Sequence, residues 1–414
     1  ELGLDWQSSV ETSSFTAVTG KGYFVNTTNA GITVTMPSSP IAGDSIGIID
    51  YAGTASTNTI TLSSSNNIEG SSSEKIVNYT RGAIRISYSD ATQGWLVSAA
   101  ANEGTSALNP APFEVHFLVV AGGGGGGKTY YGGGGGGAGG LRTSYAPSGG
   151  GANAESPLLL LPANNYTITV GDGGPGMSNG NNSSITGASI NDIESTGGGY
   201  GGNGTSSPQD GGSGGSGGGG GTGVNGPGYG ENYFGGAGTL NEGFDGARNA
   251  GTSGSPPTVL AGGGGGASQT PAIGLYYNSG GNGLAVNILN ATNAATENVG
   301  EVSGNDVYYA GGGAGGGRTS SYGSGGTGGG ATGVSNNNVG NDGTPNTGGG
   351  GSGASSSQTN NMSGGAGGSG VVILRYPSSL LLTNPGGGLT LNTYTESNKK
   401  VTVFKSGSGT IQLN

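Results

Sequence analysis

The sequence lacks several features that would point to common classes of function. It has no cysteine, which excludes a disulfide framework and a thiolate metal site. Its single histidine, His116, leaves no multi-histidine metal site. Only 12 lysines and arginines are present, scattered along a chain of net charge −11, so we expect neither nucleic acid nor an anionic membrane as a partner. No run approaches the ~20 apolar residues of a membrane span, so membrane insertion is not expected.

Glycine is the residue in excess. The chain has 101 glycines in 414 residues, and 85 of them lie in residues 121–370. Collagen requires strict Gly-X-Y spacing and abundant proline, whereas these glycines come in runs, such as residues 122–127, and prolines number 16. A disordered linker is the second alternative. The low charge and the apolar strings between the runs, such as residues 117–120 and 371–376, argue against disorder because those strings favour burial.

Composition divides the chain into four predicted segments. Residues 1–102 alternate apolar and polar positions between turn clusters, which predicts a β-sandwich or barrel. Residues 103–112 are predicted to be a linker, and residues 113–376 a glycine-rich module closed by paired strands. Residues 377–414 are predicted to be a short β tail. The expected fold class is therefore all-β plus a glycine-rich bundle, without significant helix.

Glycine runs form a fold only when their backbone groups find partners. The polyglycine II helix has three residues per turn and no internal hydrogen bonds, so its N–H and C=O groups point outward. Without Cβ atoms, such strings can pack side by side and bond to several neighbours. Because fixing glycine is entropically costly, the network must be dense. We expect a polyglycine II bundle, with a core made of backbone, within residues 113–376.

Few residues carry catalytic chemistry. Residues 122–129 match the expression of a phosphate-binding loop, but more glycines follow Tyr131 where the required helix should begin. Glu231, Glu242 and Asp245 share one loop and are predicted to be surface charges rather than a catalytic carboxylate pair. We therefore predict that the chain is not an enzyme, with no catalytic residue, no cofactor and no metal site.

Aromatic residues between the glycine runs are the predicted recognition residues. Exposed aromatics in loops suit stacking on sugar faces or on a protein receptor. The alternative is that they cap the ends of the glycine core and shield its hydrogen bonds from water. The residues are Tyr130, Tyr131, Tyr229, Tyr233, Phe234, Phe244, Tyr276 and Tyr277.

Two sequence motifs carry a family resemblance. The pairing of Phe117-Leu-Val-Val-Ala and six glycines with a distal Gly370-Val-Val-Ile-Leu-Arg-Tyr resembles the glycine-rich module of marine and cyanobacterial phage structural proteins. The core also resembles the polyglycine sandwich of phage tail-tip adhesins. The resemblance implies a virion component, in a tail fibre, tip or surface appendage, that contributes to host attachment. It implies a location on the virion surface or outside the cell. The implied partners are copies of the chain, other virion proteins and a host cell-surface glycan or protein.

A self-assembling extracellular filament is the alternative function. Its C-terminal strands would complete the β domain of the next subunit in a head-to-tail contact. The start at Glu1, without methionine, would suit a processed mature subunit. The predicted strand-exchange residues are Val401, Val403, Phe404, Ile411 and Leu413.

Overall fold

The chain divides into two compact units, Glu1–Pro112 and Phe113–Asn414. A computed structural model describes residues 3–100, 109–129, 131–204, 207–222, 233–251, 259–272, 279–317, 322–335, 337–356 and 362–414. Within these residues, strands supply almost all of the regular structure.

The described part of the first unit contains ten strands in two five-stranded sheets. The strands are β1 (Asp5–Glu11), β2 (Phe15–Thr16), β3 (Lys21–Val25), β4 (Ile32–Thr35), β5 (Ser45–Asp50), β6 (Ile60–Ser63), β7 (Lys75–Val77), β8 (Ala83–Tyr88), β9 (Trp95–Ala100) and β10 (Asn109–Pro110). The sheet orders are β1-β3-β5-β8-β9 and β10-β7-β6-β4-β2. Because the chain alternates between the sheets up to β6, the neighbours β1, β3 and β5 run parallel, as do β2, β4 and β6.

The core of the first unit lies between its two sheets. Ile46 and Ile48 on β5 and Val34 on β4 point into one shared cluster, and each is at most 1% exposed. Trp95 on β9 is also fully buried there. The period of two in the apolar residues is what places alternate side chains on this inner face. The predicted N-terminal β domain is therefore a sandwich.

Among its described residues, the second unit contains fifteen strands, one 3₁₀ turn (Gly149–Gly151) and one helix, α1 (Ala291–Glu297). The strands are β11 (Phe113–Val120), β12 (Leu141–Thr143), β13 (Leu158–Leu160), β14 (Tyr166–Val170), β15 (Ser183–Gly187), β16 (Ile193–Ser195), β17 (Ala250–Gly251), β18 (Val259–Leu260), β19 (Leu284–Ala285), β20 (Glu301–Ser303), β21 (Asp306–Tyr309), β22 (Val371–Pro377), β23 (Leu382–Thr383), β24 (Leu389–Glu396) and β25 (Lys399–Leu413). Two small sheets have the orders β17-β18 and β19-β21-β20.

The second unit is built around a ten-stranded antiparallel sheet. Its main path is β12-β11-β22-β25-β14-β15-β16, with β13 beside β11, and β23 and β24 beside β25. Both faces are covered at the centre of the sheet. Phe117 and Phe404 enter one buried cluster, while Leu118 and Val403 enter the other. This burial on two sides explains why β11 and β22 contain continuous apolar runs rather than alternating patterns.

The glycine run at residues 122–127 continues from β11 and is surrounded by six other strings. Successive N–H groups of the run donate in turn to three strings, which are residues 178–181, 365–368 and 134–137, and every third N–H returns to the same string. The N···O distances are 2.8 to 3.0 Å. Its carbonyls accept in the same rotation from residues 198–201, 174–177 and 351–354. A period of three without internal hydrogen bonds is the polyglycine II helix. The amides that a phosphate-binding loop would present are therefore already used within the bundle.

A second string, residues 133–138, is enclosed in the same way. Its N–H groups donate to strings around Gly202, Gly262 and Gly351, and its carbonyls accept from strings around Gly127, Gly219 and Gly313. Every backbone polar group of the two strings thus has a partner. A Cβ built on any glycine of residues 122–127 would overlap a backbone carbonyl of a neighbouring string. Glycine is required at these positions because the neighbouring strings leave no room for a Cβ. The predicted fold class, all-β plus a polyglycine II bundle, is confirmed.

One short helix is present among the described residues, which agrees with the expectation of no significant helix. Helix α1 has seven residues, too few to show a helical period in the sequence. It begins after Asn290, whose side chain accepts the N–H of Asn293. It ends at Asn298, which adopts the left-handed conformation with φ of 53°. Caps at both ends and packing of Ala294 into a buried cluster therefore define the helix.

Glu297, the last residue of α1, fastens the helix to the C-terminal strands. It is 6% exposed, and its Oε2 lies 2.8 Å from Nζ of Lys405 on β25. Its Oε1 accepts a hydrogen bond of 2.8 Å from Asn392 and another from the Tyr394 hydroxyl, both on β24. A buried carboxylate is thus surrounded by donors, as its burial requires.

We expect Glu297→Gln to destabilise the second unit in a pH-dependent way. Burial raises the pKa of Glu297, but hydrogen bonds from Lys405, Tyr394 and Asn392 and the Lys405 charge outweigh it, so the pKa lies below its ordinary value. Ionised Glu297 therefore stabilises the fold above the unfolded pKa, about 4.3, and this contribution disappears as pH falls through the folded value. Urea unfolding should show a deficit of about 2 kcal/mol near pH 7 that shrinks below about pH 4.

The control for this measurement is Glu114→Gln. The Glu114 side chain is 63% exposed, so its replacement should change stability by less than about 0.5 kcal/mol. A Glu297→Gln deficit of equal size near neutral pH and near about pH 3 would contradict the assigned role of the ionised carboxylate.

Candidate functional site

The predicted recognition aromatics have different environments. Tyr131, Tyr233 and Phe244 are half-buried, whereas Phe234 is 63% exposed. The backbone N–H of Phe234 donates to Oδ1 of Asp210 at 2.7 Å, which fixes the main chain beneath the ring. Among the predicted aromatics that the structure describes, Phe234 is thus the one most open to a partner. The other four lie outside the described residues: Tyr130, Tyr229, Tyr276 and Tyr277.

Phe244 belongs to the bundle. Its N–H donates to the carbonyl of Gly266 at 3.2 Å, and its carbonyl accepts the N–H of Gly217 at 3.0 Å. Its ring lies against the 3₁₀ turn, with Cζ 3.7 Å from the position that a Cβ on Gly151 would take. At this position the aromatic packs at the edge of the glycine strings, as the capping alternative describes.

A polar cavity of about 580 Å³ opens beside the 3₁₀ turn. Its walls come from β12, from the turn and the residues after it, and from residues 240–242. Left-handed conformations at Gly150, Gly151 and Asn241, with φ of 65°, 77° and 65°, bend the two loops around it. The lining residues are Arg142, Ser148, Gly151, Ala152, Asn153, Glu155, Leu240, Asn241 and Glu242.

Arg142 and Glu155 form a bidentate ion pair in the cavity wall. Nε and Nη2 of Arg142 lie 2.9 and 2.6 Å from Oε1 and Oε2 of Glu155. Nη1 donates to the Glu194 carbonyl at 3.2 Å. The hydrogen bonds to Glu155 raise the pKa of Arg142, so the guanidinium stays charged. The two charges compensate each other and engage most of the guanidinium donors.

Glu242 is the buried carboxylate of the cavity, with 8% exposure. Its Oε2 accepts the Thr196 N–H at 2.7 Å. Burial raises the pKa of Glu242 more than the Thr196 hydrogen bonds lower it. The prediction of a surface charge is wrong for Glu242, because its loop folds back and its carbonyl accepts the Leu141 N–H. Asp245 is exposed, and Glu231 lies outside the described residues.

The residues predicted for strand exchange lie inside the sheet of their own chain. β25 pairs with β22 through residues 399–404, with β24 through residues 399–407, and with β14 through residues 407–411. A filament built by strand donation would need this doubly paired strand to leave its own sheet in every subunit. All five residues are completely buried: Val401, Val403, Phe404, Ile411 and Leu413.

A family model described as a glycine-rich domain matches residues 100–377. This span contains the bundle, the cavity, and the strands β11 and β22 that lead into and out of the glycine strings. The chain belongs to the glycine-rich domain family. No curated protein matches the chain.

The glycine-rich domain ends with β22, yet its sheet continues beyond the matched residues. β24 and β25 follow the domain in sequence, and β25 lies between β22 and β14 in the sheet. The glycine-rich domain of this chain is therefore completed by a C-terminal hairpin.

Within the residues that the structure describes, no helix is long and apolar enough to cross a membrane.

Little in the sequence indicated the cavity. Glu242 stands out in the sequence only as one of three acidic residues in a loop. Arg142 and Glu155 are about a hundred residues away from it, without any motif that joins them. Left-handed Asn241 belongs to a residue type that favours such turns, and it is the one local signal that the loop folds back.

Proposed function

We propose that the chain is a non-enzymatic structural component of a bacteriophage virion, in a tail fibre, tip or surface appendage, that contributes to host attachment. The observation that carries this proposal is the closed hydrogen bonding of residues 122–127 and 133–138, in which every backbone polar group is used. A core of this kind is stiff and electrically neutral, because it holds neither charged nor reactive side chains. Such a core suits a mechanical platform better than a catalyst.

The virion context is supported by the motif resemblance to phage structural proteins and tail-tip adhesins. The loops between glycine strings supply groups that suit recognition, such as the exposed ring of Phe234 and the polar cavity beside the 3₁₀ turn. We propose copies of the chain and other virion proteins as assembly partners. The proposed target is a host cell-surface glycan or protein, met at the virion surface or outside the cell. No described contact favours the filament alternative over this function.

Immunogold electron microscopy tests the location. Antibodies raised against the first unit should label discrete fibres or knobs on phage particles. Particles stripped of these appendages provide the matched control and should lose the label. Label spaced regularly along free, continuous filaments would overturn the virion proposal and support the filament.

A further inference from the structure

The cavity beside the 3₁₀ turn has the size and lining of a small-molecule site. Its volume of about 580 Å³ falls within the range of roughly 300–1,000 Å³ that ligand pockets occupy. The amides of Asn153 and Asn241 line it, and both residues are exposed. Leu240, 83% exposed, adds an apolar surface. The lining thus offers hydrogen-bond donors and acceptors beside one apolar contact, which suits a small polar ligand.

Glu242 supplies the strongest sign of a ligand. This side chain is 8% exposed, lines the cavity, and accepts hydrogen bonds from Thr196. A carboxylate offers about four lone-pair sites, so Glu242 keeps the capacity to accept a hydrogen bond from a donor that enters the cavity. A hydroxyl group is a suitable donor, because it can also accept a hydrogen bond from a neighbouring amide.

The charges of the cavity argue against an ionic ligand. An anion would have to displace Glu155 from the two guanidinium nitrogens that it holds at 2.6 and 2.9 Å. A divalent cation prefers six or more oxygen ligands, and with Glu155 engaged by Arg142 only the Glu242 carboxylate is left to bind it. The remaining groups offer both donors and acceptors, which matches a neutral ligand with several hydroxyls.

We propose that this cavity binds a neutral saccharide, with Glu242 accepting a hydroxyl hydrogen bond and Asn153 and Asn241 bonding to neighbouring hydroxyls. Leu240 contacts the apolar face of the pyranose ring. This inference deepens the proposed attachment function and rests on it for its biological role, because it gives the chain a glycan-binding site. The site itself is a property of the isolated protein and is testable apart from the virion.

Saturation-transfer NMR on the full chain tests the site. The probes are glucose, galactose, mannose, N-acetylglucosamine, lactose and cellobiose, with methyl phosphate and butylammonium as ionic probes. We expect signals from at least one saccharide and none from the ionic probes. Asn241→Gly removes the side chain and suits the positive φ at this position, so the fold should persist while affinity falls about tenfold. Asn153→Ala should give a similar loss, since Asn153 is exposed and its replacement leaves the core intact.

The control variant is Asn191→Ala, at an exposed asparagine outside the cavity, which should keep wild-type affinity. Equal unfolding midpoints for all three variants would establish that the fold is preserved. The proposal is overturned if no saccharide binds, if only methyl phosphate or butylammonium binds, or if Asn241→Gly and Asn153→Ala both bind as tightly as wild type. Such a failure would leave the virion location standing, because electron microscopy tests that separately.

Discussion

Replacement of Gly134 by alanine is expected to cost about 3 kcal/mol or more, or to prevent the second unit from folding. The Gly134 N–H donates to Gly202 at 2.9 Å, and its carbonyl accepts from Gly127 at 2.8 Å. A Cβ at this position would overlap the Gly219 carbonyl and would approach the Gly202 nitrogen. Relief requires a neighbouring string to move, since the obstructing atoms are backbone. That movement would break several hydrogen bonds at once. Urea and thermal unfolding of the purified variant measure the loss.

The matched control is Gly386→Ala. A Cβ on Gly386 would meet no atom within 4 Å, and its φ is not in the positive range. This variant should be neutral or stabilised by about 0.4–1 kcal/mol, because alanine restricts the unfolded chain. Equal destabilisation by both substitutions would show that the lattice does not depend on the missing Cβ.

Phe404→Ala is the second substitution with a large expected effect. Phe404 lies on β25, is completely buried, and packs in the cluster that contains Phe117, Leu374 and Tyr376. Large-to-small changes of a buried aromatic cost about 3–5 kcal/mol, through lost transfer free energy and the cavity left behind. The unfolding midpoint of the second unit in urea, followed by tyrosine fluorescence, should fall accordingly.

Leu381→Ala provides the comparison for Phe404, because Leu381 is 60% exposed and should lose less than about 0.5 kcal/mol. A Phe404→Ala protein as stable as Leu381→Ala would mean that β25 is not held in the sheet. Deletion of residues 389–414, the simplest test of strand donation, removes β24 and β25 together. It would unfold the sheet, so it cannot separate a filament from a virion component.

The sequence predicted those parts of the fold that depend on local chemistry. The glycine string at residues 122–127 is recognisable in the sequence because a run without side chains directly follows the apolar residues of β11. The continuous apolar residues of β22 likewise indicate burial on both faces. A period of three follows from the polyglycine II geometry itself.

Other features depend on contacts between distant segments. Glycine strings present identical edges, so no residue specifies that residues 122–127 bond to residues 365–368 rather than to another run. The parallel pairing in the first unit arises because the chain alternates between sheets, which apolar alternation alone does not reveal. The cavity could not be predicted because Arg142 and Glu242 meet only after the bundle brings their loops together.

The threefold rotation of hydrogen bonds also constrains how a glycine string can change in length. In residues 122–127, amides three positions apart donate to the same neighbouring string, so each amide points in one of three directions. Insertion of a single glycine rotates every later amide toward a different string, whereas insertion of three restores the original directions after one added turn. Evolution of the buried strings is thus confined to steps of three residues, much as a reading frame confines insertions in a coding sequence. The loops at their ends obey no such rule and are free to vary in length.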